Sequence, residues 1–198
     1  MNKGWKFTIA GRETVAVDVP HTWNALDGQD GGNDYFRGKG VYEKTFDMPE
    51  FDLESEEAYL EFQGVNASCE AYVNGEKATS HDGGYSTFRV DVTKYLREEN
   101  ELKVVVDNGV NDKVYPQKAD FTFYGGIYRD VNLMVADRLH LAADSVHLAT
   151  TEVEDGQAVI RVKSTIEYTG TGVRDVQLTV ELKDADGELV AKDSMPVT

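Results

Sequence analysis

The sequence predicts an all-β protein, and three observations carry that prediction. Short runs alternate apolar and polar residues with period two, so each puts one face on a core and the other in water. Turn-forming Gly, Asn and Asp separate these runs. No helical period is sustained over a useful length anywhere in the 198 residues.

Taken in order, Ala58, Leu60 and Phe62 alternate with Tyr59, Glu61 and Gln63, which predicts a strand with one buried face. Val73-Asn74-Gly75-Glu76 predicts a tight hairpin, because Asn-Gly tolerates the positive φ angles of a type I′ turn. Asp91 through Leu96 reads as a single helical turn opened by an Asp cap. Leu102, Val104 and Val106, alternating with Lys103 and Asp107, predict the next strand, and Val131, Leu133 and Val135 repeat the pattern. Cys69 alternates with Ala67, Ala71 and Val73 and reads as a small buried hydrophobe.

Asn24 to Gly40 is rich in Gly, Asp and Asn and carries Tyr35 and Phe36 as aromatic anchors, which predicts a long ordered loop. Its glycines let backbone approach a ligand, and its Asp and Asn side chains offer oxygens to sugar hydroxyls or a cation. It lacks the lysine and Ser/Thr of a phosphate loop, and its spacing does not fit a calcium-binding loop.

Beyond Arg138 the pattern changes. Ala158, Ile160, Val162, Ser164 and Ile166 alternate with polar residues, as do Val176, Leu178, Val180 and Leu182, and Asp184-Ala185-Asp186-Gly187 closes a hairpin. This reads as the start of an immunoglobulin-like sandwich, which takes about seven strands over about 100 residues. With some 60 residues remaining, the expectation is two domains, 1–138 and a truncated 139–198. Open strand edges in the second domain are expected to favour self-association.

The composition narrows the function. A net charge of −16, from 36 acidic and 20 basic residues, repels a phosphate backbone and argues against nucleic acid as a partner. No apolar run approaches the roughly 18 residues of a membrane span, so no membrane partner is expected. Four histidines without close spacing and a single cysteine give no support to a metal site. One cysteine fits periplasm and cytoplasm alike. With Met1–Trp5 read as a start just after a removed leader, a periplasmic or secreted location is favoured.

Four motifs, in order, carry a family resemblance. They are Pro20-His21-Thr22-Trp23-Asn24; Ala71-Tyr72-Val73-Asn74-Gly75-Glu76 with His81-Asp82-Gly83-Gly84-Tyr85-Ser86-Thr87-Phe88; Phe88-Arg89-Val90-Asp91-Val92-Thr93-Lys94-Tyr95-Leu96 with Asn100-Glu101-Leu102-Lys103-Val104-Val105-Val106-Asp107-Asn108; and Gly125-Gly126-Ile127-Tyr128-Arg129-Asp130-Val131. Together they resemble the N-terminal domain of glycoside hydrolase family 2, the β-galactosidase and β-glucuronidase family. The resemblance implies a jelly-roll sugar-binding domain, then an immunoglobulin-like domain, then a catalytic (β/α)₈ barrel that this chain does not include.

Retaining glycosidases need two carboxyl groups about 5–5.5 Å apart, which the family places on barrel strand ends. No catalytic residue is therefore expected here. Asn100-Glu101 copies the family's acid/base pair only superficially, and the other carboxylates read as a solvated surface. The resemblance implies that the chain is a non-catalytic front piece of a β-glycosidase, a β-galactosidase in the first instance, that docks the barrel and completes the substrate pocket. By residue matching it assigns Asp120 to the carbohydrate subsite, with Asn33 and Asp34 as candidates from the early loop. No cofactor is expected in this chain, and a cation in the complete enzyme has no support from these residues.

A free-standing carbohydrate-binding module, with Tyr35, Phe36, Phe121, Phe123 and Tyr124 as a stacking platform, and a structural surface domain are the alternatives. Arg129 and Asp130 read as a structural pair or as sheet-edge contacts, Trp5 and Trp23 as packing residues. Asn66-Ala67-Ser68 fits a glycosylation sequon but is assigned no role.

Overall fold

A computed structural model describes residues 1–28, 35–117 and 122–198. It divides into two compact units, Met1–Ala136 and Asp137–Thr198.

The first unit is a jelly-roll sandwich. Its strands are β1 (Trp5–Ile9), β2 (Val15–Val17), β3 (Lys39–Asp47), β4 (Glu56–Phe62), β5 (Val65–Asn66), β6 (Ser68–Val73), β7 (Glu76–Asp82), β8 (Phe88–Asp91), β9 (Glu99–Asp107), β10 (Gly126–Ile127) and β11 (Val131–Asp137). A six-stranded sheet runs in the order β2-β1-β3-β9-β6-β7. The others are a three-stranded sheet, β11-β4-β8, and the short pair β10-β5.

The register explains why the alternation in sequence becomes a core. Phe7 lies opposite Tyr42, Tyr42 opposite Val104 and Val104 opposite Ala71, so one buried row crosses four strands. A parallel row joins Ile9, Gly40, Val106 and Cys69. Fully burying a side chain such as Val104 or Leu60 contributes about 1.5–3 kcal/mol, so these rows hold the two layers together. Cys69 is buried as expected, and desolvation pushes its thiol up to about 12.

Two expectations need correction here. The early loop does not extend to Gly40, because β3 begins at Lys39. Glycine is required inside that strand: a Cβ there would sit 2.7 Å from the Trp23 ring and 2.8 Å from Phe7. Glu61, expected in water, is buried. Burial pushes its carboxyl upward, but donors from Asn132 at 3.0 Å, Gln63 at 3.2 Å and the Arg89 guanidinium at 2.6 Å outweigh that and hold it below the usual range.

The turns follow their chemistry. Asn74 and Gly75 have φ of 52° and 84°, the signs a type I′ hairpin needs. Asp91 Oδ1 accepts from the Thr93 N–H at 2.9 Å, while a 3₁₀ turn covers Thr93–Tyr95. Asn100 is buried in a network with Asn74 and Arg97, and Glu101 is exposed. That pair is structural.

The second unit is immunoglobulin-like and has six strands: β12 (Leu139–Leu141), β13 (His147–Glu154), β14 (Gln157–Lys163), β15 (Ile166–Tyr168), β16 (Val176–Lys183) and β17 (Leu189–Val197). They form three antiparallel pairs, β12-β15, β13-β14 and β16-β17. The run expected to be continuous from Ala158 to Ile166 breaks at Ser164-Thr165, where the chain moves from one pair to another. Leu148, Val153, Val159 and Met195 stay exposed. An open groove of about 410 Å³ runs between residues such as Ile160, Val162, Leu178 and Met195.

Candidate functional site

In sequence the expected sugar-contacting residues fall between β2 and β3 and between β9 and β10 of the first unit. Asn33, Asp34 and Asp120 lie outside the described residues, as does Phe121. The residues that flank them are described, and they are joined.

The junction is built on two buried asparagines. Asn24, 1% exposed, follows cis-Pro20 and Trp23 on the first loop; Asn108, 5% exposed, directly follows β9. Asn108 Nδ2 donates to Asn24 Oδ1 and to the Phe36 carbonyl, both at 3.1 Å. Asn108 Oδ1 accepts from the Gly38 N–H at 2.8 Å. Asn24 Oδ1 also accepts from the Gly125 N–H at 2.8 Å, and Asn24 Nδ2 donates to Asp27 at 2.6 Å and to the Phe36 carbonyl at 3.1 Å. Only this orientation of both amides gives each nitrogen an acceptor and each oxygen a donor. All the buried polar atoms of the pair are thereby satisfied, which a buried amide requires.

Further ties surround the pair. The Thr22 hydroxyl donates to the Gly125 carbonyl at 2.8 Å and accepts from the Asn24 N–H at 3.1 Å. Asp27 Oδ2 accepts from the Phe36 N–H at 3.0 Å and closes the early loop on itself. The Tyr35 hydroxyl lies 2.8 Å from the Thr122 hydroxyl and bridges the loops from outside. Arg37 donates to the Asn108 and Gln117 carbonyls at 3.4 and 3.1 Å. Gly125 has no room for a side chain, since a Cβ would come within 2.5 Å of both Asn108 Nδ2 and the Trp23 ring.

Aromatic packing anchors the base of this junction. Trp23 stacks on Phe7 with ring centroids 5.7 Å apart, so it packs as expected. His21 Nδ1 lies 2.7 Å from the Tyr42 hydroxyl. Burial lowers the His21 pKa and raises that of Tyr42, so both are neutral at ordinary pH.

Arg129 and Asp130 do not pair with each other: Arg129 donates to the Gln63 and Tyr85 carbonyls, and Asp130 accepts from Asn2 at 2.9 Å. Asn66 is buried and donates to the Tyr124 carbonyl at 2.9 Å, which leaves it unavailable as a sequon. Of the stacking candidates, Phe36 packs against the core, whereas Tyr35 and Tyr124 are exposed. Among the described residues no group of three His, Cys, Asp or Glu side chains is placed to hold a metal ion.

The roles of Asn24 and Asn108 were not read from the sequence. The signal was there in part: both close motifs that carried the resemblance, but nothing in a linear sequence indicates that residues 84 positions apart share a hydrogen bond.

Fold and junction together define a β-sandwich whose polar loops are locked to one another at one end. Comparison with known proteins gives the family. The family model described as "Glycosyl hydrolases family 2, sugar binding domain" matches residues 32–137. A β-glucuronidase of Bacteroides fragilis is 33% identical over 211 residues, which cover 100% of this chain and 30% of that protein. A β-galactosidase of Thermoanaerobacter pseudethanolicus is 27% identical, over 94% of this chain and 25% of its own length. The crystal structure of an FMN-binding β-glucuronidase from Facaelibacterium prausnitzii L2-6 superposes with a TM-score of 0.90 at 36% identity, covering 99% of this chain and 31% of that one. The chain belongs to glycoside hydrolase family 2, and it spans less than a third of the length of these relatives.

Proposed function

We propose that this chain is the non-catalytic front part of a retaining β-glycosidase that removes terminal β-linked hexose or hexuronate units, and that its two junction loops complete the pocket for the sugar. In this reading the Asp120 carboxylate accepts hydrogen bonds from sugar hydroxyls, each charge-assisted and contributing roughly 1.5–3 kcal/mol, and Asn33 or Asp34 adds a further acceptor. The observation that supports it is the joining of the two loops: the segments next to Asp34 and Asp120 are tied by Tyr35–Thr122 and by the Asn24–Asn108 pair.

The reaction itself needs a pair of carboxyl groups about 5–5.5 Å apart, one to protonate the leaving oxygen and one to attack the anomeric carbon. The proposal assigns both to the barrel of the complete enzyme. The expectation of a β-galactosidase stands beside a second substrate, because relatives of both names match. The test compares the isolated 198 residues with the full-length protein on aryl β-galactoside and aryl β-glucuronide. The chain alone should be inactive on both, while the full-length enzyme should cleave one of them with retention at the anomeric carbon. Inversion, or hydrolysis by the chain alone, overturns the reading.

A further inference from the structure

We infer that Asn108 is a positioning residue for substrate binding, acting through Asn24 to set the spacing of the two loops; this rests on the pocket-completing role proposed above. The amide is the only side-chain group of its size that both donates and accepts in one plane. Asn108 uses both functions, spanning from the Gly38 N–H to Asn24 Oδ1 and the Phe36 carbonyl. Asn24 passes the constraint to the Gly125 N–H and to Asp27. Phe36 is two residues beyond Asp34, and Gly125 is five beyond Asp120. One buried amide thus fixes the backbone beside both predicted sugar-contacting segments.

A carboxylate at 108 keeps the shape but cannot donate, and it would face two acceptor oxygens, Asn24 Oδ1 and the Phe36 carbonyl. The loops should then separate while the sandwich core stays packed. A purely structural role would also weaken the fold, so the deciding readout is coupling, not loss.

The experiment is a double-mutant cycle in the full-length enzyme, with kcat/KM normalised to folded, titrated active sites. Asn108→Asp and Asp120→Ala should each lower kcat/KM at least tenfold, and the double variant should fall no more than about threefold below the weaker single. Losses that multiply would overturn the positioning role while leaving the pocket reading intact. Wild-type kinetics for Asp120→Ala would instead overturn the pocket reading, and this inference with it. Should Asn108→Asp not fold, Asn108→Ser decides, since it removes the amide's bonds to Gly38, Asn24 and Phe36 without placing a charge against acceptor oxygens. Its loss should again be absorbed by Asp120→Ala, and either wild-type kinetics or a multiplied loss would refute the proposal.

Discussion

The hydroxyls of Tyr35 and Thr122 meet at 2.8 Å, across 87 residues of sequence, and form an exposed bridge between the two loops. An exposed neutral hydrogen bond contributes about 0.5–1.5 kcal/mol at most. Tyr35→Phe should therefore change the unfolding midpoint very little. Amide exchange at residues 122–125 should nevertheless rise, because the bridge restrains that segment. Unchanged exchange there would assign the bridge no restraining role.

Gly125 is enclosed by the amide of Asn108 and the ring of Trp23. Gly125→Ala should destabilise the first unit by about 1–3 kcal/mol, the usual cost of overpacking a filled site. Urea unfolding monitored by tryptophan fluorescence gives the number. A neutral substitution would mean that the junction is loose.

The His21–Tyr42 pair should make stability depend on pH. His21 Nδ1 and the Tyr42 hydroxyl lie 2.7 Å apart, within hydrogen-bond reach of the neutral imidazole. Burial holds the His21 pKa below the usual value. A depressed folded-state pKa gives stability that is complete above the unfolded-state value of about 6.5 and is lost as pH falls from there through the folded-state value. The stability difference between wild type and His21→Gln should therefore shrink between pH 7.5 and 5. A constant difference would contradict the neutral-imidazole assignment.

Each strand of the second unit has a hydrogen-bonded neighbour on one side only, and Leu148, Val153 and Val159 are exposed. Unpaired edges and apolar faces exchange readily and recruit further strands. The isolated chain should show faster amide exchange in residues 139–198 than in 1–138, or else strand-paired dimers in analytical ultracentrifugation. Uniformly slow exchange in a monomer would exclude both.

Much of the fold was legible because period-two patterning and turn chemistry are local. Leu102, Val104 and Val106 declare a strand by themselves, and Asn74-Gly75 declares its hairpin. Gly40 and Glu61 were misplaced for a non-local reason: only the tertiary fold brings the Trp23 ring over one and Arg89 with Asn132 over the other. The site was half legible. The resemblance pointed to the loops with Asn33, Asp34 and Asp120, whereas the asparagine pair that ties those loops depends on a contact between the first and second halves of a sandwich. Propensity has no access to such a contact.

The proposed role of this sandwich is to complete the sugar pocket. The most direct test is kcat/KM of the full-length enzyme carrying Asp120→Ala, measured on whichever aryl glycoside the wild type cleaves, beside its thermal unfolding. That role predicts a loss of at least tenfold, about 1.4 kcal/mol of transition-state stabilisation, with an unchanged melting temperature. Wild-type kinetics, or a loss accompanied by an equal loss of folding, would contradict it.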